Sequence, residues 1–392
     1  MKVGVYLGDY QPTEGGAFTF QDEAVTALAR LAGESAHEFV LIGRGAAGLE
    51  KLAGPKVAVM AVGRAPFWEA ATMRLARSFS GLRRGKWLRS HLERTARAAG
   101  VQFLWFTTPR AVDIDLPYLA IVYDLQHRLQ PWFPEVNEYG AWFSRESPYS
   151  RILPRAARII TGTQAGQKEI ELFYGVPENR MRRLPHPTPR FALDAKPSDR
   201  AVLAKYNLPE RFLFYPAQFW AHKNHANLLL GLARLREAHG VELPLVMVGA
   251  DYGNRDYVES MARELNLPVA FPGFVSQEEL VALYQHAYAL AYMTLFGPEN
   301  LPPLEAMALG CPVVASRVDG ADEQLGDAAL LVDPLSPEAI AAGIWRLHSE
   351  AGLREDLIAR GKKRAARWTV DDFVRGVFGI LDEFEPYRRT WR

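Results

Sequence analysis

The feature that most limits what this chain can become is an alternation repeated along its length. Short, continuous apolar runs are each followed by a longer stretch with helical spacing. In the first half the runs are Lys2–Leu7, Phe39–Gly43, Val57–Val62, Val101–Thr107, Tyr118–Asp124 and Arg158–Thr163. In the second half they are Phe212–Pro216, Leu245–Gly249, Val269–Pro272, Ala287–Thr294, Pro312–Ala315 and Ala329–Val332. A strand that is apolar throughout offers no face to water, so it belongs in a sheet covered on both sides, and strands separated by helices pair in parallel. The chain is therefore expected to be α/β from end to end.

At 392 residues it exceeds what a single hydrophobic core fills, so two domains are expected. The composition shifts to Pro, Asp, Lys and Ser between Pro185 and Pro209, which reads as the linker. Boundaries follow: 1–190 for a first Rossmann-like domain, 191–370 for a second, and 371–392 for a final helix and tail, the helix being predicted over Val370–Phe384. Helix starts in the second half are well marked. Ser276-Gln277-Glu278-Glu279 is a capping box, and Ser336-Pro337-Glu338 places a cap, a proline and an acid in the order a helix N-terminus favours. Two such domains enclose a cleft at the carboxyl ends of their strands, where ligands bind in folds of this kind.

Composition narrows the function. Lys+Arg 46 against Asp+Glu 45 points to no particular partner. Cys311 is the only cysteine, which excludes an internal disulfide and fits a reducing cytoplasm. The opening run ends at Asp9, too early for a signal peptide's hydrophobic region, and the best apolar run, Ala287–Phe296, is too short to span a bilayer. One basic stretch stands out: Arg74, Arg77, Arg83, Arg84, Lys86, Arg89 and Arg94 share a region with Phe67, Trp68, Phe79 and Trp87. It reads equally as a solvated basic face or as a peripheral contact with an anionic membrane. Nucleic acid is not expected, because no binding motif accompanies the charge.

Four segments could carry chemistry. In Thr294–Glu305 a strand runs into a loop and then a helix with Asn300 as its predicted N-cap and Pro302 and Pro303 in its first turn. The amides of Asn300, Leu301 and Leu304 would be free to face an anion or sugar hydroxyls, and Glu305, one turn in, could take paired ribose hydroxyls. The plainer alternative makes Glu305 a complement to the helix dipole and Glu299 a solvated loop acid. In Phe219–His225, Lys223 stands at the start of a helix, where a cation and free amides suit a pyrophosphate, or where a surface lysine simply follows a capped helix start. In the first half, Gly15-Gly16 after the first strand would let backbone approach a ligand, or would be an ordinary turn. Asp124-Leu125-Gln126-His127 ends a strand on the cleft side; there His127, oriented by Asp124, could serve a sugar or an acceptor hydroxyl, or be structural. Asp113-Ile114-Asp115 has the spacing of a cation-binding acid pair but sits in a connecting loop between prolines, so no metal site is expected.

Taken together these residues resemble family 4 of the retaining glycosyltransferases, which have the GT-B fold: two Rossmann-like parallel-sheet domains facing across a cleft, with a C-terminal helix crossing back to the first domain. The resemblance is diffuse in the first half. It is dense over Lys205–Pro209, Tyr215–His225, Pro272–Ser276 and Gly297–Val332. It implies that Glu305 binds ribose, Lys223 holds pyrophosphate, the backbone of Phe274 and Val275 meets the base, and His127 lies beside sugar and acceptor. Gly16, Asn300 and Leu301 complete the expected nucleotide-sugar contacts, and His127, Glu299 and Lys223 are the expected catalytic set.

The sequence departs from the family twice. Gly297 stands where the first of the paired glutamates should be, with Glu299 two positions later, and Ala217 and Gln218 occupy the region of an arginine that usually precedes the lysine. The activity so implied is transfer, with retention, from a nucleoside-diphosphate sugar to a hydroxyl of a glycan or lipid-linked acceptor, in surface polysaccharide or glycoconjugate synthesis. No bound metal or other cofactor is expected. The location implied is cytoplasmic, with residues 74–94 as the contact to the inner face of the membrane. The two departures keep open a non-catalytic GT-B scaffold, and the fold alone keeps open another GT-B enzyme such as a sugar-nucleotide epimerase.

Overall fold

The computed structural model of the protein describes residues 1–10, 16–44, 48–63, 90–109 and 111–391. Among these, thirteen strands form two sheets. The first holds β1 (Lys2–Gly8), β2 (Glu38–Gly43), β3 (Val57–Ala61), β4 (Phe103–Phe106), β5 (Tyr118–Ile121), β6 (Arg158–Thr161) and β7 (Met181–Arg183), in the order β3-β2-β1-β4-β5-β6-β7. The second holds β8 (Leu213–Pro216), β9 (Leu245–Val248), β10 (Val269–Gly273), β11 (Ala289–Tyr292), β12 (Val313–Ser316) and β13 (Ala329–Val332), in the order β10-β9-β8-β11-β12-β13. Every strand pairing within the sheets is parallel. Strand order reverses beside β1 in one sheet and beside β8 in the other, and these reversals are where an open parallel sheet leaves a crevice. Twelve strands sit where the apolar runs predict them. The exception is β7, three residues long with two arginines, an edge strand with too little apolar pattern to be read.

Both sheets are covered twice, as continuous apolar strands demand. On one face of the first sheet, Val3, Val5, Phe39 and Phe103 pack with Ala24 and Leu28 of α1 (Gly16–Leu31). On the other, Val40, Leu104 and Ile159 meet Leu92 and Ala96 of α2 (His91–Ala98), Tyr149 and Ile152 of α3 (Ala141–Ile152) and Ile170 of α4 (Gln164–Tyr174). A single large core surrounds the second sheet, including α5 (His225–His239) and α6 (Leu301–Ala308). Cys311 is buried in that core, and burial pushes its thiol up to about 12, which fits a packing role.

After α7 (Leu353–Ala365) the chain returns to the first sheet as α8 (Val370–Arg388), four residues longer than the helical pattern suggests. Val370, Phe373, Val374, Val377, Ile380 and Leu381 of α8 enter the same core as β1 and α1, and the Phe373 ring meets Phe20 edge-on at 5.0 Å. The crossing is fixed at its start by a Thr369–Asp372 capping box and by Trp368 Nε1 donating to Pro185 O at 2.8 Å. Ser276 and Ser336 cap their helices as predicted. No helix among the described residues is long and apolar enough to cross a membrane. Of the basic stretch only Arg94 is described; Arg74 to Arg89 lie outside the described residues.

Phe373 is fully buried at the junction of α8 with the first sheet. Phe373→Ala is expected to cost about 3–5 kcal/mol, measured by denaturant unfolding; a loss under 1 kcal/mol would show that α8 is a loose appendage.

Candidate active site

The strand-order reversal in the second sheet brings together the two segments singled out in the sequence, since Lys223 follows β8 and Gly297–Asn300 follows β11. Lys223 ends a 3-10 turn before α5, and Asn224 takes a left-handed backbone (φ 58°). Asn224 is held there because its buried Nδ2 donates to Met293 O at 2.9 Å and Pro334 O at 2.8 Å. Lys223 Nζ donates to Tyr292 Oη at 3.0 Å, and Tyr292 Oη donates in turn to Asn300 Oδ1 at 3.1 Å. Lys223 has no carboxylate partner among the described residues.

Asn300 is the N-cap of α6 in position, with Pro302 and Pro303 in the first turn as predicted. Its side chain does not cap. Nδ2 turns back to Gly297 O at 2.8 Å, and its backbone amide, expected to be free, donates to Gln324 Oε1 at 2.9 Å. Gly297 has φ 131°, and a Cβ there would lie 2.7 Å from Asn300 Nδ2. A glutamate at this position would therefore need a different loop, which gives a physical reason for the departure from the family pattern.

Glu305 lies one turn into α6 and accepts from Tyr284 Oη at 2.7 Å. Burial pushes its carboxyl up to about 7; Tyr284's hydroxyl opposes the rise and the Glu23 carboxylate adds to it. Phe274 is 75% exposed at the end of β10, while Val275 packs on the core. Leu301 is half-buried at the first position of α6. Gly16 opens α1, and Gly15 lies outside the described residues.

Glu299 is neither solvated nor turned to a sugar position in this conformation. Its side chain is 5% exposed; Oε1 accepts from His186 N at 2.7 Å and Oε2 meets His186 Nδ1 at 2.9 Å. His186 belongs to the first-domain side, packed on Phe20 and Tyr123 at 5.0 and 4.8 Å between ring centres. The carboxylate rests on the bare backbone of Gly162, where an added Cβ would come within 1.5 Å of Oε2. Two further acids clasp the domains. Glu323 accepts from Gln164 N at 2.8 Å and Ala165 N at 3.2 Å, a second-domain carboxylate on the N-terminus of first-domain α4. Glu135 accepts from His222 N at 3.1 Å and from His222 Nδ1. Burial raises the Glu135 carboxyl, but the His222 donors outweigh it and hold the group below its usual range.

His127 sits inside the first domain with no exposed surface. Its Nε2 meets Glu146 Oε2 at 3.1 Å, and burial, reinforced by Arg145, lowers its pKa despite Glu146. The expectation that Asp124 orients it is corrected: Asp124 accepts from Arg145 and from Gln126 N at 3.0 Å, and Glu146 is the histidine's partner. Asp113 and Asp115 both pair with Arg155, at 2.6 and 2.9 Å. His186, Glu323, Glu135 and Glu146 were not singled out in the sequence.

Two Rossmann-like parallel-sheet domains about one cleft, closed by a returning helix, define the GT-B class. Residues 196–364 match the family model of glycosyl transferases group 1. It is 28% identical over 228 residues to O-antigen chain mannosyltransferase B of Escherichia coli, spanning 57% of this chain and 60% of that protein. It is 27% identical over 253 residues to D-inositol 3-phosphate glycosyltransferase of Acidothermus cellulolyticus, spanning 61% and 56%. The chain thus matches about three fifths of the length of these relatives. In fold it is similar to Anabaena HepE, solved in complex with UDP and glucose, with a TM-score of 0.71 at 16% identity over 98% of this chain and 100% of that one.

Two outcomes are expected. Glu299→Ala should remove hydrogen bonds worth about 1.5–3 kcal/mol to a charged acceptor and widen the molecule. Small-angle scattering should then give a larger radius of gyration, with an unchanged radius refuting a clasp. The second concerns pH. Glu305 has a folded pKa raised from 4.5 to about 7, so its contribution to stability is full below pH 4.5 and is lost as pH rises through 7. Between pH 4.5 and 7.5, wild type should lose about 1–3 kcal/mol relative to Glu305→Gln; parallel melting curves would exclude the shift.

Proposed function

We propose that the protein transfers a glycosyl group, with retention, from a nucleoside-diphosphate sugar to a hydroxyl of a glycan or lipid-linked acceptor, without a bound metal. The observation that carries this is the array Lys223–Tyr292–Asn300 at the reversal of strand order, which sets an ammonium with no carboxylate partner among the described residues beside the N-terminus of α6. The diphosphate would lie against Lys223 and the N-terminal amides of α5 and α6, with Glu305 reaching the ribose and Phe274-Val275 the base. As the sugar–phosphate bond breaks, negative charge grows on the leaving diphosphate, and a fixed cation and fixed dipoles stabilise it without having to reorganise. Glu299 would have to leave His186 to meet the sugar, so its catalytic role is tied to domain opening. His127, buried behind Glu146, would act on the acceptor only after a similar movement.

The mannosyltransferase among the relatives and the bound UDP in HepE support a nucleotide-sugar donor. An acceptor destined for surface polysaccharide or glycoconjugate, a cytoplasmic location, and a membrane contact through residues 74–94 complete the reading. We place the domain boundaries at 190 and 370, as the composition suggests.

The test is release of nucleoside diphosphate from a panel of uridine, guanosine and adenosine diphosphate sugars, with the anomer of the product read by NMR. Lys223→Ala should lower kcat about 100-fold or more with an unchanged melting temperature. Full activity in that variant, or binding of none of the panel by wild type, would overturn the reading.

A further inference from the structure

A cavity of about 440 Å³ lies between the domains, where the chain crosses from one to the other. That is within the roughly 300–1,000 Å³ typical of small-molecule sites. Neither Lys223 nor Glu305 lines it, so it is separate from the proposed diphosphate position, although Glu299 and Leu304 in its wall set it beside the expected sugar end of the donor. Its walls come from distant parts of the chain: Arg183 from the end of β7, Thr163 and His186 from the first domain, and Arg364, Arg367 and Trp368 from the end of α7 and the start of the return crossing.

Three arginines thus line one concavity. Two carboxylates also line it, but both are already engaged. Glu299 has both oxygens on His186, and Glu323 has both on the amides that open α4. Arg364 is fixed by backbone carbonyls, its Nε donating to Gln324 O at 2.8 Å and its Nη2 to Glu323 O, and these remove no charge. Arg183 and Arg367 have no ion pair or side-chain hydrogen bond among the described residues. Burial first, and the like charge of Arg367 second, lower the Arg364 pKa, and the Asp327 carboxylate offsets this only in part. The rim is rigid, because Trp368 Nε1 donates to Pro185 O and Thr188 Oγ1 to Ala365 O, each at 2.8 Å. Like charges gathered around a fixed concavity make it attractive to an anion.

We infer that this cavity is a second ligand site, for a small molecule bearing a phosphomonoester, bound by Arg183 and Arg367 from the two domains with Arg364 behind them. A planar guanidinium donates two parallel hydrogen bonds to phosphate oxygens, and two or three such groups match a dianion better than a carboxylate. Because Arg183 and Arg367 lie on opposite sides of the crossing, the ligand would also bridge the domains.

The inference goes beyond the donor site and is tested apart from it. Inorganic phosphate is titrated calorimetrically, in a phosphate-free buffer, into the full chain carrying Lys223→Ala, which removes the rival cation. One site is expected, weakened at least tenfold when Arg183→Gln and Arg367→Gln are added, and largely retained with Arg183→Lys and Arg367→Lys. Both arginines are exposed, so the melting temperature should hold. No phosphate binding by the Lys223→Ala chain, or binding that the two glutamine substitutions leave unchanged, overturns the inference. The proposed transferase activity stands or falls separately, on nucleotide-sugar turnover by the wild-type chain.

Discussion

The first domain cannot cover its own sheet. Strands that are apolar on both sides must be buried on both, and α1 screens only part of the face that Val3, Val5, Phe39 and Phe103 present. The rest is closed by α8, whose Val370, Phe373, Val374 and Val377 come from the far end of the sequence. Everything in the cleft depends on this. By returning to the first sheet, the chain crosses between the domains twice at one place, and Trp368 on Pro185 and Thr188 on Ala365 bind the two crossings together. The carboxyl ends of the two sheets are thereby held facing each other, and the residues that follow β8 and β11 confront those that follow β6 and β7.

What fills that confrontation is mostly carboxylate. Glu299, Glu323 and Glu135 each reach across and take backbone or imidazole donors from the other domain. Such bonds are charge-assisted and directional, yet they are few, and each ends on a group that water could serve almost as well. The closed arrangement is therefore a state the molecule can leave at modest cost. The buried cores, by contrast, stay as they are. Chemistry and motion share residues here, since the acid expected to face the sugar is also a clasp.

The sheets were largely legible in the sequence because a doubly covered parallel strand announces itself as an unbroken apolar run. The strand β7 escaped notice because an edge strand of one methionine and two arginines has no such run. The positions of Lys223, Asn300 and Glu305 near helix starts were legible for a different reason: capping patterns are local. Their partners were not. Glu299 meets His186 at a separation of 113 residues and Glu323 meets Gln164 at 159, and no local pattern encodes such a pairing. Glu146, only 19 residues from His127, was hidden by the nearer Asp124, which turned out to be committed to Arg145. The loop Gly297–Asn300 shows the limit from another side. The sequence reveals that a glutamate is missing, but only the backbone angle at Gly297 shows that the loop has been rebuilt around a glycine.

Seen as topology, the return of α8 makes the second domain an insertion into the first. The second domain is complete within a continuous stretch and can form its core as soon as that stretch has been synthesised. The first begins with β1 yet lacks part of its covering until residues 370–388 arrive. On a ribosome that releases the chain from its N-terminus, domains fold as units in the order they emerge, and here that order is broken. The half of the molecule made first is the last to be finished, and its apolar face must wait, uncovered, until α8 has been made.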